Sequence, residues 1–511
     1  MHKHHLPDRI VALTLAAFLA FTSGAVAQEG GRPHPAAPAP AAADAHRTPL
    51  PADAVTQHEI TIAGTKLAYT ATAGTLALSD DKGEAKADIF YVSFVLAPGA
   101  ETANRPITYL FNGGPGASSA YLDIGAVGPR TLVFGAGGEM PAAPGVADNP
   151  DTWLPFTDLV FIDPVGTGWS RATGADDATA KEFYGVDQDL DALADIIRLH
   201  LTKSGRLTSP VYLAGESYGG FRAARLAHEL ATEHGIAPAG VTMISPVIDF
   251  GLMSSNPLDP VPWALRLPSY AAAKLGVKAI DPGALADAES FALGDYLSAL
   301  VAGTRDGAAA NAVYARLAQF TGLDLDRIAQ WHGLIPLDDY IRELRRRDGR
   351  IVSRYDATAS ATDPSPWSGG GRDDPVLDGT IAPFTTAFVA YARDELGFAT
   401  DRRFELLNHD VSRHWDWHGG RGPFRSLSAN DALQQALALS PRLKVLIAHG
   451  VADLETPYMM SRYIKDHMPA PLGDRIALKL YAGGHMLYLH SDSRRRLHDD
   501  VQAFYATSPA E

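Results

Sequence analysis

Apolar residues change their spacing along this chain, and each change marks a different kind of element. From His58 the period is two: Ile60, Ile62, Leu67, Tyr69, Leu76 and Leu78 alternate with small or polar residues. Such alternation predicts strands buried on one face. Gly64, Gly74 and Gly83 are expected to turn the chain, giving an antiparallel meander that leads into Ile89–Leu96. Beyond it the apolar runs become continuous: Ile107–Phe111, Leu159–Ile162, Val211–Ala214, Val241–Ile244, Leu443–Ala448 and Ile476–Tyr481. These suit strands covered on both faces of a largely parallel sheet. Between two of them Val186, Leu190, Leu193, Ile197 and Leu201 recur at helical spacing, with Asp187, Asp189, Asp191 and Asp195 elsewhere on the early turns. Strand and helix in alternation predict an α/β fold, a mixed but mostly parallel sheet flanked by helices.

The spacing of the runs is uneven. From the fourth run to the fifth the chain is far longer than a sheet crossover needs. Residues 252–430, rich in Ala, Leu and Arg, are therefore expected to form an inserted, mainly helical cap, with 55–251 and 431–511 as the core. Asp363–Asp374 has the composition of a loop.

Lys3 and Arg9, the short apolar stretch Ile10–Phe21 and Ala25-Val26-Ala27 have the form of a secretory signal, 1–27, cut after Ala27. The stretch is shorter than the ~20 residues of a spanning helix. The expectation is an exported protein, periplasmic or secreted, with no membrane span after cleavage. Residues 28–54 have the Pro/Ala bias of a semi-rigid linker, in which His34 and His46 are expected to be solvated.

A formal net charge of −15 argues against a nucleic-acid partner, and 46% hydrophobic residues suffice for a large core. Cysteine is absent, which removes disulfides, a lipid-modified cysteine and any thiolate metal site.

The chemistry centres on Gly215-Glu216-Ser217-Tyr218-Gly219, which follows the Val211–Ala214 run and precedes a helical pattern, Phe221–Leu230. G-x-S-x-G between strand and helix is a nucleophile elbow. Its glycines let the backbone turn where a Cβ would clash, and the helix N-terminus beneath Ser217 favours developing negative charge. A serine hydroxyl needs a base, and the base needs an orienting acid. With this elbow the chain order is Ser, acid, His. Asp453, just past Leu443–Ala448, and His485, just past Ile476–Tyr481, satisfy that order. All three follow strands and so sit at one sheet edge, where ligands collect. After Ile107–Phe111 comes Asn112-Gly113-Gly114-Pro115-Gly116-Ala117-Ser118-Ser119, at the place of a loop that supplies an oxyanion N–H. Gly114 and Tyr218 N–H are assigned as the donors. The Lys-Ser/Thr ending of a phosphate-binding loop is missing.

Asn-Gly-Gly-Pro-Gly-x-Ser-Ser, Gly-Glu-Ser-Tyr-Gly-Gly, Gly-x-x-Asp and Gly-Gly-His-Met, in this order, resemble the serine carboxypeptidase family, as does Phe161–Ser170. The resemblance covers roughly residues 85–250 and 440–490, with a variable insert between them. It implies the α/β-hydrolase fold, no cofactor, and removal of residues from peptides with a free C-terminus. It also implies that Asn112, Gly113 and Glu216 bind the terminal carboxylate. A Glu can hydrogen-bond a carboxylate only when one of the two is protonated. The alternative for Glu216 is a structural hydrogen bond within the elbow. Two features depart from the family: Ala126 stands where well-studied members carry a second Glu, and Ala117 stands where Cys is common. Both leave acid-pH preference and strict exopeptidase specificity less firmly implied than the triad.

The remaining signals point elsewhere. His409, His414 and His418, with Asp410 and Asp416, match no standard ligand spacing, so no metal is expected. Trp415 and Trp417 are expected to pack in the cap or line the pocket, and Arg345–Arg347 and Arg494–Arg496 to be solvated helix faces. The leading expectation is an exported serine carboxypeptidase acting through an acyl-enzyme on Ser217. Alternatives are an esterase or acyltransferase on the same triad, or a non-catalytic binding protein on a hydrolase fold, against which the intact Ser217, Asp453 and His485 argue.

Overall fold

The alternating segment forms three strands, β1 (Ala54–Ile62), β2 (Thr65–Ser79) and β3 (Ala85–Leu96), paired antiparallel in sequence order. The continuous runs form β4 (Ile107–Phe111), β5 (Asp158–Ile162), β6 (Val211–Glu216), β7 (Gly240–Ile244), β8 (Lys444–Gly450) and β9 (Ile476–Tyr481). The computed structural model describes residues 49–97, 105–135, 143–173, 177–276, 283–368, 373–417 and 427–506. Among the described residues these strands make one ten-stranded sheet, ordered β1-β2-β3-β5-β4-β6-β7-β8-β9, with the short strand Arg171–Ala172 against β3. From β5 to β9 every pairing is parallel. The expected signal peptide and the 28–48 part of the expected linker lie outside the described residues, as do His34, His46 and His418.

The central strands are apolar throughout because both faces are covered. On β6, Val211 and Leu213 face one core and Tyr212 and Ala214 the other. The longer helices are α1 (Val186–Lys203), α2 (Tyr218–Thr232), α3 (Pro260–Leu275), α4 (Leu377–Asp394), α5 (Asn430–Leu439) and α6 (Ser491–Ala506). Apolar residues of α1, α2 and α5 fill the first core, those of α4 and α6 the second. The stretch between β7 and β8 therefore has two parts. Helices from α3 to Tyr340 share a separate core, with Tyr270, Tyr296, Tyr314 and Tyr340, closed against Ala452 and Leu454. Farther on, Phe384 and Phe388 of α4 and Leu433 and Leu437 of α5 return to cover the sheet.

Register brings the chemistry to one edge. Phe111 lies beside Gly215, Glu216 beside Ile244, Ile244 beside Ala448, and Gly450 beside Tyr481. The loops after β4, β6, β7, β8 and β9 thus emerge side by side.

Three local expectations change. Gly74 makes no turn. It lies inside β2, and the space a Cβ would need is filled by Asp53, whose Oδ1 accepts Thr75 N–H at 3.0 Å and whose Oδ2 pairs with Lys203 at 2.8 Å. Asp189, expected away from the apolar stripe of its helix, is buried. Arg494 is no solvated residue: its Nε lies 3.0 Å from buried Asp151. Arg345, Arg346 and Arg347 are exposed and pair with Asp348, Glu343 and Asp324.

Candidate active site

The turn after β6 sets the site. Ser217 has φ 60° and ψ −124°, a conformation that costs a non-glycine residue about 1–3 kcal/mol and persists only where surroundings impose it. Here Ser217 N–H donates to Ile244 O at 2.9 Å, and Ser217 O accepts from Gly220 N–H at 2.9 Å. A Cβ on Gly215 would run into Gly219 O, and one on Gly219 into Phe111 O. Both glycines are needed for close approach. Ser217 is left at the N-terminus of α2, facing a cavity of about 240 Å³.

His485 lines the same cavity, and its Nδ1 lies 2.8 Å from Asp453 Oδ2. With Nδ1 engaged, Nε2 is the nitrogen left for proton transfer. Asp453 is fully buried, and its Oδ1 accepts the N–H groups of Glu455 (2.9 Å) and Thr456 (3.0 Å). Thr456 Oγ1 donates to Asp453 Oδ2 at 2.7 Å and stands 3.1 Å from His485 Nδ1. Ser245 Oγ donates to His485 O at 2.8 Å, which holds the histidine loop against the end of β7. Burial alone would lower the imidazole pKa. The charge and hydrogen bond of Asp453 outweigh it, Glu216 and Glu455 add to them, and the result is raised.

The glycine loop carries the second half of the site. Asn112, Gly113 and Gly114 line the cavity beside Glu216, Ser217 and Tyr218. Asn112 Oδ1 accepts Leu122 N–H at 3.1 Å, which turns its amide so that Nδ2 donates to Glu216 Oε2 at 2.5 Å. A Cβ on Gly113 would come 2.5 Å from Tyr218 N, so this loop can rest on the elbow only with glycine there. From behind, Arg222 of α2 donates Nη1 to Asn112 O at 2.5 Å and forms a two-point pair with Asp189 of α1, at 2.7 and 3.0 Å. Arg222 and Asp189 are both buried.

Glu216 is buried too. Tyr488 OH lies 3.0 Å from Oε1 and 2.9 Å from Oε2, and Asn112 completes the set. Burial pushes the Glu216 carboxyl up to about 7, against the His485 charge and the two donors, which pull it down.

All eight residues singled out in the sequence thus line this one cavity or, for Asp453, bond to a residue that does. Tyr488, Thr456, Ser245 and the Arg222–Asp189 pair were not anticipated. Asp189 had a signal: it falls three residues after Val186 and four before Leu193, on the apolar stripe of α1. Trp417 lines the cavity, and Trp415 packs edge-on against Tyr218 at 5.6 Å. Among the described residues no cluster of His, Asp or Glu could hold a metal. Asp410 pairs with Arg413, and His414 Nδ1 contacts Asp410 O.

The serine carboxypeptidase family model matches residues 65–244. Serine carboxypeptidase 1 of Hordeum vulgare is 28% identical over 151 residues, 29% of this chain and 29% of that protein. Serine carboxypeptidase-like 44 of Arabidopsis thaliana is 33% identical over 130 residues, 24% of each. These matches span less than a third of the curated relatives' length. A prohormone-processing carboxypeptidase from Saccharomyces cerevisiae shares the fold with a TM-score of 0.54 at 16% identity, over 85% of this chain and 91% of that one. The architecture is that of an α/β-hydrolase, and it is residues 65–244 of this chain that match the serine carboxypeptidase family.

Proposed function

We propose that the protein is a serine carboxypeptidase that releases the C-terminal residue of peptides through an acyl-enzyme on Ser217. In this reading Ser217 Oγ attacks the last peptide carbonyl while His485 Nε2 takes its proton. Asp453 holds the imidazole in the required tautomer and stabilises its charge. Gly114 and Tyr218 N–H meet the oxyanion. His485 then returns the proton to the leaving amine, and water releases the acyl group by the same steps in reverse.

The observation that carries the reading is a buried carboxyl with near-neutral affinity for a proton, Glu216, directly before the nucleophile. No Lys or Arg is among the described residues that line the cavity. A substrate carboxylate would be met there by Asn112, Gly113 N–H and the protonated form of Glu216. Below about pH 7 Glu216 is largely neutral and can donate; above it, Glu216 ionises and repels the substrate. The Glu216 charge is also among those that raise His485, so protonating Glu216 eases loss of the imidazole proton.

A peptide and its C-terminal amide test this. Losing a charge-assisted hydrogen bond costs about 1.5–3 kcal/mol, so kcat/KM should favour the free acid at least roughly tenfold. The advantage should shrink as pH rises through the Glu216 titration. Glu216→Gln keeps a donor without the proton and should flatten that fall. Equal rates on acid and amide across the pH range would favour ester hydrolysis or acyl transfer. That second reading draws on the apolar remainder of the lining, Val247, Phe250, Leu377, Leu407 and Trp417.

We also propose export with cleavage after Ala27. Among the described residues no helix is long and apolar enough to cross a membrane. N-terminal sequencing of the exported protein should begin near Gln28; retention of Met1 would refute the proposal.

A further inference from the structure

Every described hydrogen bond to the Glu216 carboxyl comes from a donor, and one of those donors lies outside the motifs that mark the site. Tyr488 sits in the helical turn Leu487–Leu489, just after His485, and is fully buried. Its ring lies against the turn Asp123–Val127: a Cβ added at Gly125 would come 3.1 Å from Tyr488 Cε2. Ala126, on the same buried turn, offers Glu216 no polar group.

We propose that Tyr488 is a positioning residue that orients the Glu216 carboxyl and, by donating to it, sets the upper pH limit of substrate-carboxylate recognition. This rests on the carboxypeptidase reading. Asn112 Nδ2 donates to Oε2 at 2.5 Å, while Tyr488 OH straddles the carboxyl, 2.9 Å from Oε2 and 3.0 Å from Oε1. Because the Asn112 amide occupies Oε2 alone, the acid proton is best placed on Oε1, with the phenol hydrogen turned to Oε2. A phenol O–H that donates to a carboxylate stabilises the ionised form more than the neutral one. Tyr488 thus pulls Glu216 back from the value burial alone would impose. It remains a donor throughout the working range, because burial and the nearby Glu216 charge push its own pKa well above that of an ordinary phenol. The other titratable groups that act on Glu216 are His485 and Asp453, with Tyr121 from the neighbouring turn close enough to feel its charge. His485 favours the ionised Glu216 and Asp453 opposes it.

Two measurements test the proposal. The alkaline limb of kcat/KM for a free-acid peptide should move up by about one pH unit in Tyr488→Phe, carried by KM rather than kcat. The profile for the C-terminal amide should not move with it. Fluorotyrosine at position 488, a stronger donor of nearly the same shape, should move the limb the opposite way and serves if the Phe variant fails to fold. Infrared titration of the protonated Glu216 carbonyl band, assigned by its loss in Glu216→Gln, should report the same shifts without substrate. A purely structural role for Tyr488 would weaken both substrates at all pH values and leave the band where it was. That result, or a limb that moves alike for acid and amide, overturns the proposal. If the wild-type protein never distinguishes acid from amide, the carboxypeptidase reading falls, and the infrared titration still decides whether Tyr488 governs the Glu216 proton.

Discussion

Ser217→Ala is expected to give a folded protein that no fluorophosphonate labels, with peptide turnover lower by at least about 10⁴-fold. His485→Ala should match it, and the double variant should lose little more, because residues that act as one unit are not additive. The magnitude follows from placement. Ser217 is held in a left-handed conformation by hydrogen bonds at both its N–H and its C=O. Alanine can occupy the same backbone, so the elbow, the helix N-terminus and the loop donors should survive. What disappears is the oxygen that forms the acyl bond. Intact circular dichroism with no labelling is the expected pair of readings. Labelling at another serine, or wild-type turnover in Ser217→Ala, would remove Ser217 from the mechanism.

Arg222→Ala should destabilise the fold by about 3–5 kcal/mol, since removing one partner leaves a buried charge uncompensated. Three groups lose their partner at once: both oxygens of Asp189 and the carbonyl of Asn112. Activity should fall by more than the folded fraction accounts for, because Arg222 backs the loop that carries Asn112, Gly113 and Gly114. Denaturant titration read beside active-site labelling separates the two effects. A variant with wild-type stability would show that the Asn112 loop is held by other contacts. Arg222→Lys should recover only part of the loss, since an ammonium cannot make the two-point pair with Asp189 and reach Asn112 O together.

The sheet was legible because its central strands are covered on both faces and its outer ones on one, so burial writes itself directly into the spacing of apolar residues. β4 and β9 have the limits that their apolar runs suggest. The glycines around Ser217 were legible for a related reason: three backbones meet there too closely for a Cβ. What escaped notice depends on partners remote in sequence. Tyr488 reads as one more aromatic residue in Leu487-Tyr488-Leu489 until Glu216 is seen beside it. Asp189 hides among four acidic residues of one helix, and only its place on the apolar stripe marks it. Gly74 resembles the turn glycines on either side, and its reason for being glycine, Asp53, comes from a segment whose composition suggested a mere linker.

The parallel order β4-β6-β7-β8-β9 has a consequence for the life of the chain. Ser217 leaves β6 early in synthesis, while Asp453 and His485 follow β8 and β9, which can dock only after the whole stretch from Ser245 to Leu443 has been made. Until then Ser217 lacks both of its proposed partners, Asp453 and His485. On the proposed triad, hydrolysis would therefore wait for the last two strands to close the sheet, with folding itself as the control.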